Sequence, residues 1–147
     1  MAVEGKIRTI ALAAIVRPSD HALLVFRGYD SSKAQIFYRP LGGGIEFGES
    51  SQQALQREMQ EELGVTVRPV RKLATLESLF VYEGVRGHEI VIVWQAEFTD
   101  PALYLEETLS YTEGDQQSVA LWVIPAKLQA QGFPLYPVEL TDLLRGA

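Results

Sequence analysis

Apolar and polar positions along this 147-residue chain arrange themselves as short strands around one sharply bounded helix. Residues 7–16 form a branched apolar run that reads as a buried strand. Arg17-Pro18-Ser19-Asp20 is a turn signal, and residues 22–27 read as the returning strand. Residues 28–35 are polar and are expected to form a loop. Residues 36–39 are short and extended ahead of Pro40 and the glycine cluster Gly42-Gly43-Gly44. Ser50 and Gln53 have capping-box spacing, Ser51–Leu63 runs without Gly or Pro, and Gly64 follows as a left-handed stop.

Beyond the helix, residues 65–79 begin with the β-rich Val65-Thr66-Val67. Residues 80–82 and 88–98 read as the arms of a hairpin around residues 83–87. Imperfect alternation in the second arm predicts burial on both faces. Residues 100–117 are acidic and poorly periodic and are expected as a loop. Residues 119–124 form a further strand, Pro125 opens a short helix through Gln131, residues 132–137 make a rigid aromatic connection, and residues 138–144 close as a helix. No repeat or linker interrupts this order. The sum is a mixed α/β domain with helices packed on a partly antiparallel sheet.

Composition narrows the function. With 47% hydrophobic and 22% charged residues the chain suits one globular domain. There is no cysteine, which excludes disulfides, thiolate zinc sites and thiol catalysis and suits a reducing cytoplasm. The formal net charge of −6, without a basic run, argues against a clamp on a nucleic-acid polymer. The first sixteen residues carry Lys6 and Arg8 inside an apolar stretch too short to span a bilayer, so no membrane association or signal peptide is expected.

The helix carries the chemistry. At roughly 100° per residue, Glu58, Glu61 and Glu62 fall within about 100° of arc, beside the apolar stripe of Leu55, Met59 and Leu63. Three such charges destabilise one another unless a cation neutralises them, and oxygen ligands suit magnesium or manganese. Gly42, Gly43 and Gly44 allow backbone to approach a ligand closely, and a carbonyl there can complete a metal shell. Glu49 and Arg57 read as a charge pair fixing the loop against the helix, with a phosphate contact as the second reading of Arg57. Taken singly, a Glu pair reads as a solvated face and a glycine triplet as a plain loop. Their shared register makes the case.

That register resembles the signature of the Nudix hydrolase family, G-x5-E-x7-R-E-U-x-E-E-x-G-U with U bulky and apolar. Gly43, Glu49, Arg57, Glu58, Met59, Glu61, Glu62, Gly64 and Val65 fill every specified place. One departure is that Leu41 stands immediately before the glycines, where members commonly place a proline, and Pro40 lies one earlier. The resemblance implies a single Nudix domain over residues 1–147, folded as an α/β/α sandwich with a mixed sheet. It further implies metal-dependent hydrolysis of a phosphoanhydride bond in a nucleoside diphosphate linked to another moiety, by attack of activated water on phosphorus. Glu61 and Glu62 are then metal ligands, and Glu58 is either a further ligand or the base. Glu58, Glu61 and Arg57 form the catalytic set, Gly42 and Gly43 offer carbonyls, and Gly43, Glu49, Arg57 and Gly64 hold the motif's shape. A homodimer follows from family habit alone. The alternative is a nucleotide-sensing domain of the same fold without turnover; isomerisation of an isoprenoid diphosphate is disfavoured by the missing cysteine.

Outside the motif, Glu89, Glu106, Glu107, Glu113 and Asp115 are candidates for a remote carboxylate, and Glu113 is favoured. Arg39 and Arg27 are candidate phosphate contacts, each equally readable as a structural ion pair. His88 reads as exposed before it reads as a phosphate contact. Tyr82, Phe133 and Tyr136 are candidate base-stacking residues that packing would explain as well.

Overall fold

The computed structural model describes residues 4–145; the expectations that touch residues 1–3 and 146–147 lie outside the described residues. Eight strands and three α-helices follow in the order β1 (Ile7–Ile15), β2 (Leu23–Asp30), β3 (Gln35–Arg39), β4 (Leu41–Gly44), α1 (Ser51–Leu63), β5 (Val67–Tyr82), β6 (Val85–Phe98), β7 (Thr108–Glu113), β8 (Gln116–Val123), α2 (Pro125–Gln131) and α3 (Leu140–Arg145). The strands divide into two sheets, ordered β4-β1-β6-β5 and β3-β2-β8-β7. The first is mixed, since β1 runs parallel to β6 and antiparallel to β4, while the second is wholly antiparallel.

Strand β1 shows why its sequence is a continuous apolar run. Ala11, Ala13 and Ile15 point to one side and pack with Ala54, Leu55 and Met59 of α1. Ile10, Leu12 and Ala14 point to the other and pack with Leu128 of α2 and Leu140 of α3. A strand covered on both faces has no polar side to alternate. The α/β/α sandwich follows from that double burial.

Helix α1 is closed at both ends by its own residues. The Gln53 amide donates to the Ser50 hydroxyl at 3.1 Å, and the Ser50 amide donates to the Gln53 side-chain oxygen at 2.8 Å. Gly64 takes φ 68°, a left-handed turn that a side chain would strain. The Trp94 indole donates to the Ser51 hydroxyl at 2.9 Å and ties the helix start to β6.

Five expectations need correction. Residues 28–35 are not a loop: β2 continues to Asp30 and the chain turns only over residues 31–34. Buried Asp30 holds that turn, accepting from the Ser32 amide and hydroxyl and the Lys33 amide. The glycines are not a free loop either. Leu41–Gly44 lies on β1 as a strand, and a Cβ on Gly42 (φ 156°) would stand 2.0 Å from the Ala11 carbonyl oxygen, so only glycine lets the two backbones meet. The hairpin arms are longer than expected, because one unbroken strand runs from Val67 to Tyr82 and turns at Glu83-Gly84, both with positive φ. Register shifts interrupt its pairing with β6 between Pro69 and Arg71 and between Lys72 and Ala74. Residues 100–117 are largely structured. A short 3-10 helix spans Pro101–Leu105, and β7 buries Leu109 and Tyr111 between exposed Thr108, Ser110 and Thr112. That period of two was present in the sequence beneath its acidic residues. The closing helix begins at Leu140, slightly later than expected.

Among the described residues no helix is long and apolar enough to cross a membrane.

Candidate active site

A cleft of about 700 Å³ opens between the two sheets, lined from β1 through β7, by α1 and by Tyr136 and Pro137. Paired positions order its floor. Gly44, Ile10, Val91 and Leu76 form one row; Arg8, Glu89 and Ser78 the next; then Gly87 with Phe80, and Val85 with Tyr82. From Leu76 to Tyr82 is six residues of strand, about 20 Å at the usual rise.

The acidic end is built by α1, β4 and β7. Glu58 lies directly on Gly43, where an added Cβ would stand 2.4 Å from its carboxyl carbon. Glu62 is 7% exposed, and its Oε1 is buried without a hydrogen-bond partner. Glu113 reaches the same cleft from the end of β7 and accepts a hydrogen bond from the Tyr111 hydroxyl. Burial pushes the Glu62 carboxyl up to about 8, and the charges of Glu58, Glu113 and Glu61 add to the shift. Burial also raises Glu58, which its bond to Arg57 partly offsets. Tyr111 is held above the ordinary phenol range by burial and by its bond to Glu113.

Arg57 organises the approach to this end. Its guanidinium donates to both Glu49 oxygens at 3.1 and 2.7 Å, to the Gly44 carbonyl at 2.8 Å and to Glu58 at 2.9 Å. Glu49 is held below the usual carboxylate range by that guanidinium. A clamp of this kind fixes strand, loop and helix together and aims Glu58 over Gly43.

The sequence-selected residues separate clearly in space. Glu58, Glu62, Glu113, Gly42, Gly43, Arg39 and Tyr82 line the cleft. Glu61 is turned outward, with its side chain 59% exposed and 3.4 Å from Arg57. Arg27, Glu106, Glu107 and Asp115 are exposed and lie off the cleft, as does His88, which is half-buried rather than exposed as expected. Phe133 packs against Tyr38 and borders a separate groove beside α2 and α3. Arg39 is in an ion pair with Glu89 at 3.1 Å. Sequence reasoning missed Arg8, Phe37 and Tyr111 as lining residues. Arg8 did leave a sign, a charge inside an otherwise apolar strand.

A family model for the NUDIX domain matches residues 7–140, nearly the whole chain. The chain belongs to the Nudix hydrolase family. It is therefore an enzyme of pyrophosphate-bond hydrolysis. No curated protein matches it. Among solved structures, the solution structure of the E. coli ORF135 protein is similar at 25% identity and a TM-score of 0.61, over 95% of this chain and 87% of that one. A UDP-X diphosphatase structure superposes with a TM-score of 0.65 at 18% identity, over 97% of this chain and 63% of its own. An ADP-ribose pyrophosphatase from Streptococcus suis gives 0.57 at 16% identity, over 93% and 88%. The latter two likenesses are of fold.

Whether the Nudix acids suit a divalent cation is tested by their surroundings. Among the described residues no three acidic or histidine side chains already form a metal-holding group. The donor set nevertheless fits one. A buried carboxylate oxygen without a donor, with three further carboxylates charged against it, is stabilised by a proton or by a cation with oxygen preference.

Proposed function

We propose that this Nudix hydrolase cleaves the diphosphate linkage of a nucleoside diphosphate joined to another moiety, with magnesium or manganese held at Glu58, Glu62 and Glu61. The observation that carries the reading is the unpartnered, buried Glu62 oxygen facing the same cleft as Glu58. When bound, the cation neutralises phosphate oxygens and eases deprotonation of an attacking water. The residues of the chain do the rest. Glu62 and Glu58 offer oxygens from consecutive turns of one rigid helix, so their spacing does not depend on a loop. Glu61 stands one position away and joins them by a rotation of its exposed side chain. Arg57 holds Glu58 in place, and Glu58 is either a ligand or the proton acceptor. Glu113, also in the cleft, is the candidate base supplied from outside the motif.

At the other end of the floor, Phe37 meets Tyr82 edge-on at 5.7 Å and Tyr136 in a tilted contact at 5.8 Å. This aromatic end is the proposed seat of the base. The separation of about 20 Å along the strands suits an extended nucleotide better than a bare phosphate. Residues 1–147 are proposed to act as one domain.

The test is a panel of nucleoside triphosphates, dinucleoside polyphosphates, nucleotide sugars and ADP-ribose, assayed with magnesium and with manganese by product chromatography. At least one member should be cleaved between phosphorus atoms, and only when metal is present. Binding without turnover across the panel would favour a sensing domain. No turnover together with unchanged metal affinity in Glu61→Gln overturns the hydrolase reading.

A further inference from the structure

In the middle of the cleft, buried Glu89 on β6 receives two arginines from different sheets. Arg8 of β1 approaches one carboxylate oxygen at 3.4 Å, and Arg39 of β3 donates to the other at 3.1 Å. Glu89 is 2% exposed, whereas the arginine side chains remain 28% and 24% exposed and line the cleft. Both guanidiniums therefore converge on one carboxylate while keeping part of their surface towards the cleft. A guanidinium carries five N–H donors, and Glu89 takes only one from Arg39.

The place of this cluster matters as much as its make-up. The Arg8–Glu89 row lies two strand residues beyond the Gly44 row at the acidic end, about 7 Å, and ahead of the rows of Phe80 and Tyr82. An anion extended from the acidic end towards the aromatic end passes over it. Planar forks held in fixed orientation suit phosphate oxygens.

We propose that Arg8, Glu89 and Arg39 form an anion cradle for the part of a diphosphate substrate not held at the carboxylates, with Glu89 as the positioning residue that aims both guanidiniums. This rests on the hydrolase reading for its substrate, not for its geometry. If Glu89 served only to join the sheets, its removal would loosen the fold while leaving the cleft more positive and no less attractive to anions. If it positions the cradle, anion affinity falls although the site has gained positive charge. The two roles therefore differ in sign.

The experiment is calorimetric titration of methylenediphosphonate into the magnesium-loaded whole chain, well below its melting temperature, for the wild type, Glu89→Gln, Arg39→Lys and Arg39→Gln. Affinity should fall about tenfold in Glu89→Gln and in Arg39→Gln. It should also fall in Arg39→Lys, which keeps the charge but loses the planar fork. Wild-type affinity or better in Glu89→Gln overturns the proposal, as does full affinity in Arg39→Lys or no binding to the wild type. Failure of the two readings looks different. Diphosphonate binding that weakens in Glu89→Gln, without turnover of any panel member, sinks the hydrolase and leaves the cradle. Turnover with variants that bind like wild type does the reverse.

Discussion

Glu62 and Glu89 line one cleft and are buried alike, at 7% and 2% exposure, yet their surroundings are opposite. Glu89 has an arginine on each oxygen. Glu62 has an oxygen with no donor and three other carboxylates acting against its charge. A buried charge that is satisfied within the protein contributes to holding the fold and the cleft wall. One left unsatisfied costs stability until something else supplies the countercharge. Burial alone would have ranked the two together; the identity of the neighbours separates them.

The largest effect expected from breaking this contrast is on turnover. Glu58→Gln keeps the side chain's size and its place over Gly43 but removes the charge shared with Glu62. With a cleaved member of the nucleotide panel, its kcat should fall by about 100-fold or more. A kcat near that of the wild type would show that the central carboxylate has been misassigned.

A second consequence concerns pH, with the sign set by Glu62. In the fold its carboxyl is pushed up to about 8, against an ordinary value of 4.5. Between those pH values the folded chain keeps a proton that the unfolded chain has released. Stability is thus full below about 4.5 and is lost as pH rises through about 8. Glu58, also raised by burial, adds in the same direction. The lowered carboxyls of Glu49, Asp20 and Asp30 act oppositely, but at more acidic pH. Metal-stripped protein should therefore melt at a lower temperature at about pH 8 than at about pH 5. Magnesium should raise the melting temperature more at the higher pH, and Glu62→Gln should flatten the metal-free profile. A metal-free melting temperature that is level between these pH values would remove the idea that Glu62 waits for a cation.

How much of this was legible in the sequence follows from how far apart the partners lie. The cap at Ser50, the stop at Gly64, the Arg57–Glu49 pair and the arc of acids are all set by residues within a few helical turns. Spacing along the chain sufficed for them. Glu89 meets residues 81 and 50 positions away, and no local period announces such a meeting. Glu113 could be named but not placed, because its arrival in the cleft depends on β7, a strand hidden by its acidic neighbours. The same limit applied to the glycines. Their freedom was readable, but Gly42 serves a strand-to-strand approach and Gly43 a carboxylate, and neither partner lies beside them in sequence.

Arg27 and Arg39 sharpen the comparison at its weakest end, since the sequence offered them as equals. Strand alternation divides them. Phe26 and Asp30 of β2 face the cleft, with Gly28 beneath the Phe37 ring, so Arg27 and Tyr29 point away. On β3, Gln35, Phe37 and Arg39 share the cleft face, and Phe26 is directly opposite Arg39 in register. Only Arg39 reaches across the gap to the other sheet and finds Glu89. Arg27→Ala should accordingly change KM by less than about twofold and stability by less than about 0.5 kcal/mol, read from steady-state kinetics and a denaturant melt. A KM increase of about tenfold in Arg27→Ala would mean that substrate lies outside the cleft between the sheets, and the ordering of acids, arginines and aromatics along its floor would lose its meaning.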